Sequence, residues 1–293
     1  MKQRNEHRIT AKLALFGASL IWGSSFLIMK NSVDALTPFL LLGLRFTIGC
    51  LFLCLIFHRR LKQLNHSYFI KGGIIGLLLF LAYTLQTIGL TGTTPGKNAF
   101  LTAIYCVIVP FLYWAVDRKK PDAFHLTAAF LTILGIGLVS LNNSLSIEYG
   151  DALTMAGGFF YAAHMVAIAK LAKDKDPVLI TILQFGYAAV FFWISAAFTE
   201  ELVIPTNTTV IAGILYLSIF ATAVALLLQN IGQKYTNPAP AAVILSLESV
   251  FGVLFSVIFY GEEVNLRLLL GFLLIFLAVI ISETKLSFFR KNK

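Results

Sequence analysis

The ten residues 86–95, QTIGLTGTTP, decide the fold because they recur as QNIGQKYTNP at residues 229–238. Both segments read Q-x-I-G-x-x-x-T-x-P, at an offset of 143. Residues 38–46 likewise match 177–185 at an offset of 139, and residues 130–140 match 272–282 at an offset of 142. Changes in loop length account for the small differences between the offsets. The sequence therefore predicts two similar halves, residues 1–145 and 146–293.

The composition of the chain argues against a water-soluble fold. Of its 293 residues, 58% are hydrophobic and 13% are charged, against roughly 45 to 50% and about 25% in soluble domains. These charged side chains are too few to cover a surface in water. Cys50, Cys54 and Cys106 lie in apolar stretches without the spacing of a metal site. We expect packing roles for them, and neither a metal nor a cofactor.

The apolar stretches have the length of membrane spans. A transmembrane helix needs about 20 mostly apolar residues to cross ~30 Å of hydrocarbon. Ten stretches meet this requirement, and the loops between them are too short for separate soluble domains. We therefore predict an all-α integral membrane protein with ten transmembrane helices. The predicted spans are 12–31, 38–57, 71–91, 98–116, 125–142, 150–170, 178–198, 209–229, 240–260 and 267–284.

The distribution of basic residues tests this number of spans, because Lys and Arg concentrate in cytoplasmic loops. With the N-terminus inside, 19 of the 23 basic residues lie on the cytoplasmic side, three lie on the other side, and Arg45 lies within a span. One missed or invented span would invert every later loop. We expect both termini in the cytoplasm and the protein in the plasma membrane. The net charge of +9 is then a topology signal and does not indicate a nucleic-acid partner.

Each half contains five predicted spans, an odd number, so the second half must enter the bilayer from the opposite side. Inverted repeats are typical of secondary transporters, in which two oppositely oriented halves form one site that can open to either face. The pattern therefore predicts transport by alternating access. A duplication that serves folding alone is the alternative.

Short motifs in both halves strengthen this interpretation. They are Trp22-Gly23-Ser24-Ser25-Phe26, Leu44-Arg45-Phe46, Thr93-x-Pro95, Ala99-Phe100-Leu101-Thr102, Leu247-Glu248-Ser249-Val250-Phe251 and Gly261-Glu262. In this order the chain resembles the drug/metabolite transporter superfamily, specifically its ten-helix EamA-type permeases, over nearly its whole length. The resemblance implies export or exchange of small metabolites, amino acids among them. It also implies that spans 1–4 and 6–9 line the pathway and that spans 5 and 10 are peripheral.

Two positions depart from the family pattern. Ser249 follows Glu248 where the family commonly has proline, which could change a local kink. Asp117-Arg118 stands where the first repeat often has Gly-Glu, so we expect Glu262 alone to keep the role of that loop residue.

Arg45 and Glu248 are the charged residues that lie well inside predicted spans. A lone charge there costs about 2.5 to 3.5 kcal/mol on insertion scales, so it should face the bundle or a partner. Their depths differ by only ~7 Å at 1.5 Å per residue. They form either a structural ion pair between spans 2 and 9 or part of a substrate or coupling site. In the second case Glu248 could bind and release a proton during the transport cycle.

Other candidate site residues are polar or aromatic. Tyr105 is the preferred one, because it is the counterpart of Glu248 in the repeat, at the same offset as the Q-x-I-G motif. Trp22 and Tyr83 could form aromatic walls for a substrate, or anchor the protein at the membrane interface. His164 and Gln184 could contribute to binding or coupling, although a buried His more often packs and Gln often joins helices.

Three prolines are candidates for gating. Pro95 and Pro238 precede spans 4 and 9, where proline presets the helical backbone and the helix dipole is positive. Pro110 lies inside span 4 and should kink it.

The sequence thus predicts a carrier for a small metabolite in the lipid bilayer, with amino acids or related amphipathic solutes first and cationic drugs second. An intramembrane enzyme would need a nucleophile or a metal at membrane depth, and the chain has no HExxH or GxSxG motif. We expect no catalytic residues. A channel or scaffold without alternating access is a further alternative.

Overall fold

The computed structural model describes residues 2–118, 120–140, 147–203, 205–263 and 265–284. Ten helical units are numbered here in chain order, and a short 3-10 helix, His58–Gln63, lies between the second and the third of them. The first half contains α1 (Lys2–Val33), α2 (Pro38–Ile56), α3 (His66–Thr91), α4 (Pro95–Thr102 and Tyr105–Asp117) and α5 (Ala123–Ser140). The second contains α6 (Tyr149–Leu171), α7 (Pro177–Thr199), α8 (Thr208–Tyr216, Leu217–Val224 and Ala225–Tyr235), α9 (Pro238–Leu245, Leu247–Phe255 and Ser256–Tyr260) and α10 (Leu266–Thr284).

Eight of these helices are long and apolar enough to cross a membrane, and they correspond to predicted spans 1–4 and 6–9. In α5 and α10 the apolar stretches are shorter, Leu126–Gly135 and Leu266–Ala278. These two helices pack mainly against each other. The predicted all-helical architecture of ten helices is confirmed. The predicted boundary between the halves, at residues 145 and 146, lies outside the described residues and stays a prediction.

The helices begin at residues that favour helix starts. Pro38, Pro95, Pro177 and Pro238 are the first residues of α2, α4, α7 and α9. Proline is favoured there because a backbone N–H at this position would have no partner within the helix, so its absence costs nothing, and because the φ angle of proline is already helical. The four prolines form two pairs at equivalent places in the two halves, so the duplicated sequence starts the same helices.

The two halves interlock through a shared apolar cluster. Helix α2 packs against α7 and α8, while α3 packs against α6 and α7. Phe46 of α2 lies between Phe185 and Phe192 of α7, with ring centroids 5.6 and 5.2 Å away, and all three side chains are fully buried. On α3, a Cβ at Gly72 would lie 2.6 Å from the Cβ of Leu183, so only glycine permits this approach. The halves therefore form one body with a shared interior.

Candidate functional site

A cavity lies in the shared interior, between the halves. It is lined by residues of α1, α2, α3, α4, α6, α8 and α9. Five of the sequence-predicted site residues line it, namely Trp22, Arg45, Tyr83, Tyr105 and Glu248.

Arg45 extends from α2 into the cavity wall and is 3% exposed. Its Nε donates to Thr222 Oγ1 at 2.5 Å, and its Nη2 donates to the Ala221 carbonyl at 3.2 Å and to the Tyr83 hydroxyl at 3.4 Å. Its Nη1 donates to the thioether sulfur of Met29 at 3.7 Å. Sulfur is a weak acceptor. The guanidinium is thus held by neutral groups, and Nη1 has the weakest partner.

Glu248 lies on the opposite half of the cavity lining, on α9, and is 4% exposed. Among the described residues, no ion-pair partner lies within 4.0 Å of its carboxylate or of the Arg45 guanidinium. The structural ion pair considered from the sequence is therefore not formed. The structure brings both charges to one cavity and leaves them apart.

A break in α9 sets the position of Glu248. Helix α9 is interrupted at Ser246, and α4 is interrupted at residues 103–104. Ala103 and Ser246 are counterparts at the offset of the repeat. Tyr105 and Glu248 each follow their break by two positions. The break in α4 thus precedes Pro110, which lies buried inside the helical segment Tyr105–Asp117, and the kink expected at Pro110 stays a prediction.

Aromatic side chains form another part of the cavity wall. Tyr161 of α6 contacts Tyr83 and Tyr105 edge to face, with ring centroids 5.3 and 6.4 Å apart. Its hydroxyl donates to Gln86 Oε1 at 2.7 Å, and Gln86 Nε2 donates to Thr102 Oγ1 at 3.0 Å. The Tyr161 hydroxyl is thus held in a chain of hydrogen bonds, and the side chain lines the cavity.

His164 and Gln184 lie outside the cavity lining, and their roles in binding or coupling stay predictions. Both side chains are completely buried, and His164 Nε2 lies 2.9 Å from Gln184 Oε1. The pair joins α6 to α7 within the second half. Polar residues within a membrane span must be buried, but burial between helices satisfies this requirement as well as a cavity does. The sequence signal could not distinguish the two.

At the α4 end of the bundle, where α4 begins, a hydrogen-bonded contact joins the two halves. Glu262, after α9, accepts hydrogen bonds from the Thr94 hydroxyl at 2.5 Å, the Gly96 N–H at 3.0 Å and the Ser256 hydroxyl at 2.5 Å. A carboxylate at a helix N-terminus satisfies free N–H groups and complements the helix dipole. A Cβ on Gly96 would lie 2.4 Å from Glu262 Oε2. Pro95 is thus the first residue of a tightly capped helix.

A buried ion pair holds the same helix start to α6. Lys97 Nζ lies 2.8 Å from Asp151 Oδ2, and Thr93 donates to Asp151 Oδ1 at 2.7 Å. Asp151 is completely buried. These residues were not singled out in the sequence, because Lys97 and Asp151 lie at helix ends, where charged residues are ordinary.

The opposite α9 end, where α9 begins, is built differently. Pro238 and Pro240 have no N–H, so the first turn of α9 has few donors that need a cap. A polar cleft of about 1100 Å³ lies there, lined by the ends of α4, α6 and α8 and the starts of α7 and α9. Lys170 forms an ion pair with Asp117 at this cleft. Arg118 and Gly261, which are counterparts in the repeat, follow α4 and α9 with left-handed φ angles of 59° and 73°.

Two interlocked helical halves around a sparsely polar cavity define a multi-pass membrane transporter. Comparison with known protein families gives the same class of protein. A model of the EamA-like transporter family matches residues 9–141 and again residues 148–284. The chain belongs to the EamA-like transporter family.

Known relatives are transporters as well. An uncharacterized transporter of Archaeoglobus fulgidus is 37% identical over 276 residues, which cover 94% of this chain and 86% of the relative. The uncharacterized transporter YvbV of Bacillus subtilis is 25% identical over 97% of this chain and 94% of its own length. The uncharacterized inner membrane transporter YedA of Escherichia coli is 22% identical over 79% and 80%.

A solved crystal structure shares the fold. It has a TM-score of 0.72 at 18% sequence identity and covers 97% of this chain and 99% of its own. At this identity the likeness shows the fold alone.

Proposed function

We propose that this transporter is a secondary carrier that exports or exchanges a small zwitterionic metabolite, such as an amino acid, by alternating access. The observation that carries the proposal is the pair of opposite charges at one cavity. Arg45 and Glu248 both line it, both are nearly fully buried, and they do not form an ion pair. A ligand with a carboxylate and an ammonium group would neutralise both charges at once.

The surroundings of Arg45 favour a carboxylate ligand. Its Nη1 donates to the Met29 thioether, which an incoming carboxylate oxygen can displace at little cost. Guanidinium groups bind carboxylates with two parallel, charge-assisted hydrogen bonds. Burial strengthens this attraction, because the effective dielectric constant is lower than in water.

The surroundings of Glu248 favour a cation. Its carboxylate shares the cavity with Tyr105 and Tyr161, whose ring faces attract ammonium groups. An amine without a carboxylate could use this half of the cavity alone, which makes efflux of cationic drugs the second candidate. Arg45 argues against it, because a purely cationic ligand would bring a second positive charge near a buried guanidinium.

The two ends of the bundle support alternating access. The α4 end is closed by Glu262 and its three donors, whereas a polar cleft lies at the α9 end. We propose that Pro95 and Pro238 begin the two helices that separate in turn, and that Pro110 lets α4 bend. In the predicted topology the α9 end faces the cytoplasm and the membrane is the plasma membrane, in line with the name of the Escherichia coli relative.

Glu248 also provides a route for proton coupling. When the ammonium group leaves, the buried carboxylate can take up a proton instead of remaining charged and unpaired. Proton and substrate would then exchange at the same group.

A thermal-shift screen of purified protein tests the proposed substrate class. Each trial compares an amino acid, the amine that lacks its carboxylate and the acid that lacks its amino group. We expect the amino acid to stabilise the protein most. Equal stabilisation by the amine alone would favour the cation carrier, and stabilisation by none of the three would contradict a zwitterion site. Saturable counterflow in proteoliposomes would distinguish a carrier from a channel.

A further inference from the structure

We propose that the π-helical segment Leu217–Val224 of α8 holds Arg45 in its binding position, and that Thr222 is a positioning residue for the substrate. The inference rests on the proposed function, because it assigns to this segment the presentation of the carboxylate-binding group. The segment lies in the middle of α8 and packs against α2.

The π-helical geometry frees a backbone acceptor. In an α-helix the Ala225 N–H would bond the Ala221 carbonyl, four residues earlier. Here it donates to the Phe220 carbonyl, five residues earlier, and to that of Thr222. The Ala221 carbonyl instead accepts from Trp22 Nε1 at 2.8 Å and from Arg45 Nη2 at 3.2 Å. Single π-helical turns are frequent at functional sites for this kind of reason.

Thr222 completes the support of the guanidinium. Its hydroxyl oxygen accepts from Arg45 Nε at 2.5 Å, on the side away from Nη1. The bonds of Nε and Nη2 fix the plane of the guanidinium, while Nη1 donates to the Met29 sulfur. Holding a flexible side chain before binding lowers the entropy lost when the ligand arrives. Thr222 thus acts through Arg45 without needing to contact the substrate.

The close approach of α2 makes these bonds possible. Gly49 lies one turn after Arg45 and faces the π-helical segment. A Cβ on Gly49 would lie 3.1 Å from the Ser218 carbonyl oxygen and 3.2 Å from Thr222 Cγ2. A larger residue would move α2 away from Thr222 and lengthen the Arg45 hydrogen bonds.

The test compares Thr222→Val, which removes the hydroxyl but keeps the shape, with Thr222→Ser, which keeps the hydroxyl. The control is Thr132→Val on α5, because Thr132 is also buried but its hydroxyl has no hydrogen-bond partner among the described residues. Gly49→Ala is a second, independent perturbation of the same contact. Each variant is purified as the full chain in lipid nanodiscs.

The first measurement needs no substrate. The chain has eight arginines, so ¹⁵N-arginine labelling gives few Nε–Hε signals, and Arg45→Lys identifies that of Arg45. We expect slow exchange of this hydrogen with water in the wild type, Thr132→Val and Thr222→Ser. In Thr222→Val and Gly49→Ala we expect faster exchange. An unchanged Arg45 signal in both variants would overturn the inference, whatever the protein transports.

The second measurement uses the best-stabilising amino acid and the corresponding amine. Loss of a hydrogen bond to a charged group predicts about tenfold weaker amino-acid binding in Thr222→Val, with restored affinity in Thr222→Ser and unchanged affinity for the amine. If Thr222→Val changes the Arg45 signal but not amino-acid affinity, Thr222 is structural and the inference fails. If no amino acid binds even the wild type, the proposed function fails, and so does the substrate-positioning role of Thr222. The exchange data still decide whether Thr222 holds Arg45.

Discussion

Arg45 and Gln184 occupy equivalent positions in the two halves, within the matching segments 38–46 and 177–185, yet only Arg45 reaches the cavity. Arg45 is held by the π-helical segment of α8. Gln184 is hydrogen-bonded to His164. It also packs closely against α3, because a Cβ on Gly76 would lie 2.9 Å from the Gln184 carbonyl oxygen. Helix α3, the counterpart of α8, is continuous from His66 to Thr91.

A second pair shows the same asymmetry in the opposite direction. Glu248 in the second half corresponds to Tyr105 in the first. Each half therefore contributes one charge to the cavity and a neutral residue at the counterpart of the other charge. Had both halves kept glutamate at this position, the cavity would contain two glutamates, and had both kept tyrosine it would contain none. These two comparisons show how sequence divergence between the repeats creates one cavity with a positive and a negative side chain.

The largest effect should follow from removing the charge of the first half. Arg45→Gln is expected to weaken amino-acid binding at least about 100-fold, because a charge-assisted, two-point contact with a carboxylate is lost. Affinity for the amine that lacks the carboxylate should be retained. Isothermal titration against both ligands measures this. Unchanged amino-acid affinity in a folded Arg45→Gln protein would remove Arg45 from the site.

The charge of the second half should control the pH dependence. A proton and an ammonium group compete for the Glu248 carboxylate, so the amino-acid affinity of the wild type should fall as the pH is lowered. In Glu248→Gln the affinity should be weaker and independent of pH. Titrations between pH 5 and pH 9 measure it, with Glu263→Gln as the control, since Glu263 lies outside the cavity. A sloping profile in Glu248→Gln would exclude the proton role of this residue.

A smaller effect is expected when the two helix starts are made alike. Ala239 of α9 is the counterpart of Gly96 in α4, so Gly96→Ala gives both starts a Cβ. That atom would collide with the Glu262 carboxylate and loosen the α4 end by about 1 kcal/mol, the usual value of a helix cap.

Thiol labelling measures this loosening. Cys50, Cys54 and Cys106 are replaced by alanine, and one cysteine is placed at position 25 in the cavity. With an impermeant maleimide added at the α4 end, this cysteine should react several-fold faster in Gly96→Ala than in the protein that keeps Gly96. The rate from the other face is the control. Equal rates with and without Gly96→Ala would show that Glu262 does not close this end.

The smallest effect on binding should come from the pair behind the cavity. Gln184→Leu leaves His164 Nε2 buried without a partner, which should lower stability by about 1 to 3 kcal/mol. Amino-acid affinity should stay within about twofold, because neither residue lines the cavity. Thermal unfolding and titration on the same sample separate the two outcomes. A large loss of affinity without loss of stability would return Gln184 and His164 to the binding site.

Much of the fold could be predicted because the bilayer imposes simple rules. Hydropathy indicated the helices, the basic loops indicated their alternation, and the Q-x-I-G-x-x-x-T-x-P repeat indicated the two halves. The cavity placement of Arg45 and Glu248 also followed from physical cost, since charges at membrane depth must avoid lipid. Tyr105 followed from its repeat partner.

The remaining features depend on tertiary packing. The sequence LSIFATAV of the π-helical segment has neither glycine nor proline to signal a departure from the α-helix. Thr222 is one of many threonines in spans and acquires its role only through the approach of α2 at Gly49. The sequence identified Glu262 as a candidate loop residue, but it did not identify the three groups that donate hydrogen bonds to it. The breaks in α4 and α9, at the equivalent positions near residues 103 and 246, contain no proline and could not be predicted either.

The most direct test is counterflow of a radiolabelled amino acid in proteoliposomes that contain the wild type, Arg45→Gln, Glu248→Gln or Gln184→Leu. With two unlike charges at one alternating cavity, we expect saturable counterflow in the wild type and in Gln184→Leu, and its loss in both charge variants. Undiminished counterflow in Arg45→Gln and Glu248→Gln, with all four proteins equally incorporated, would contradict the account.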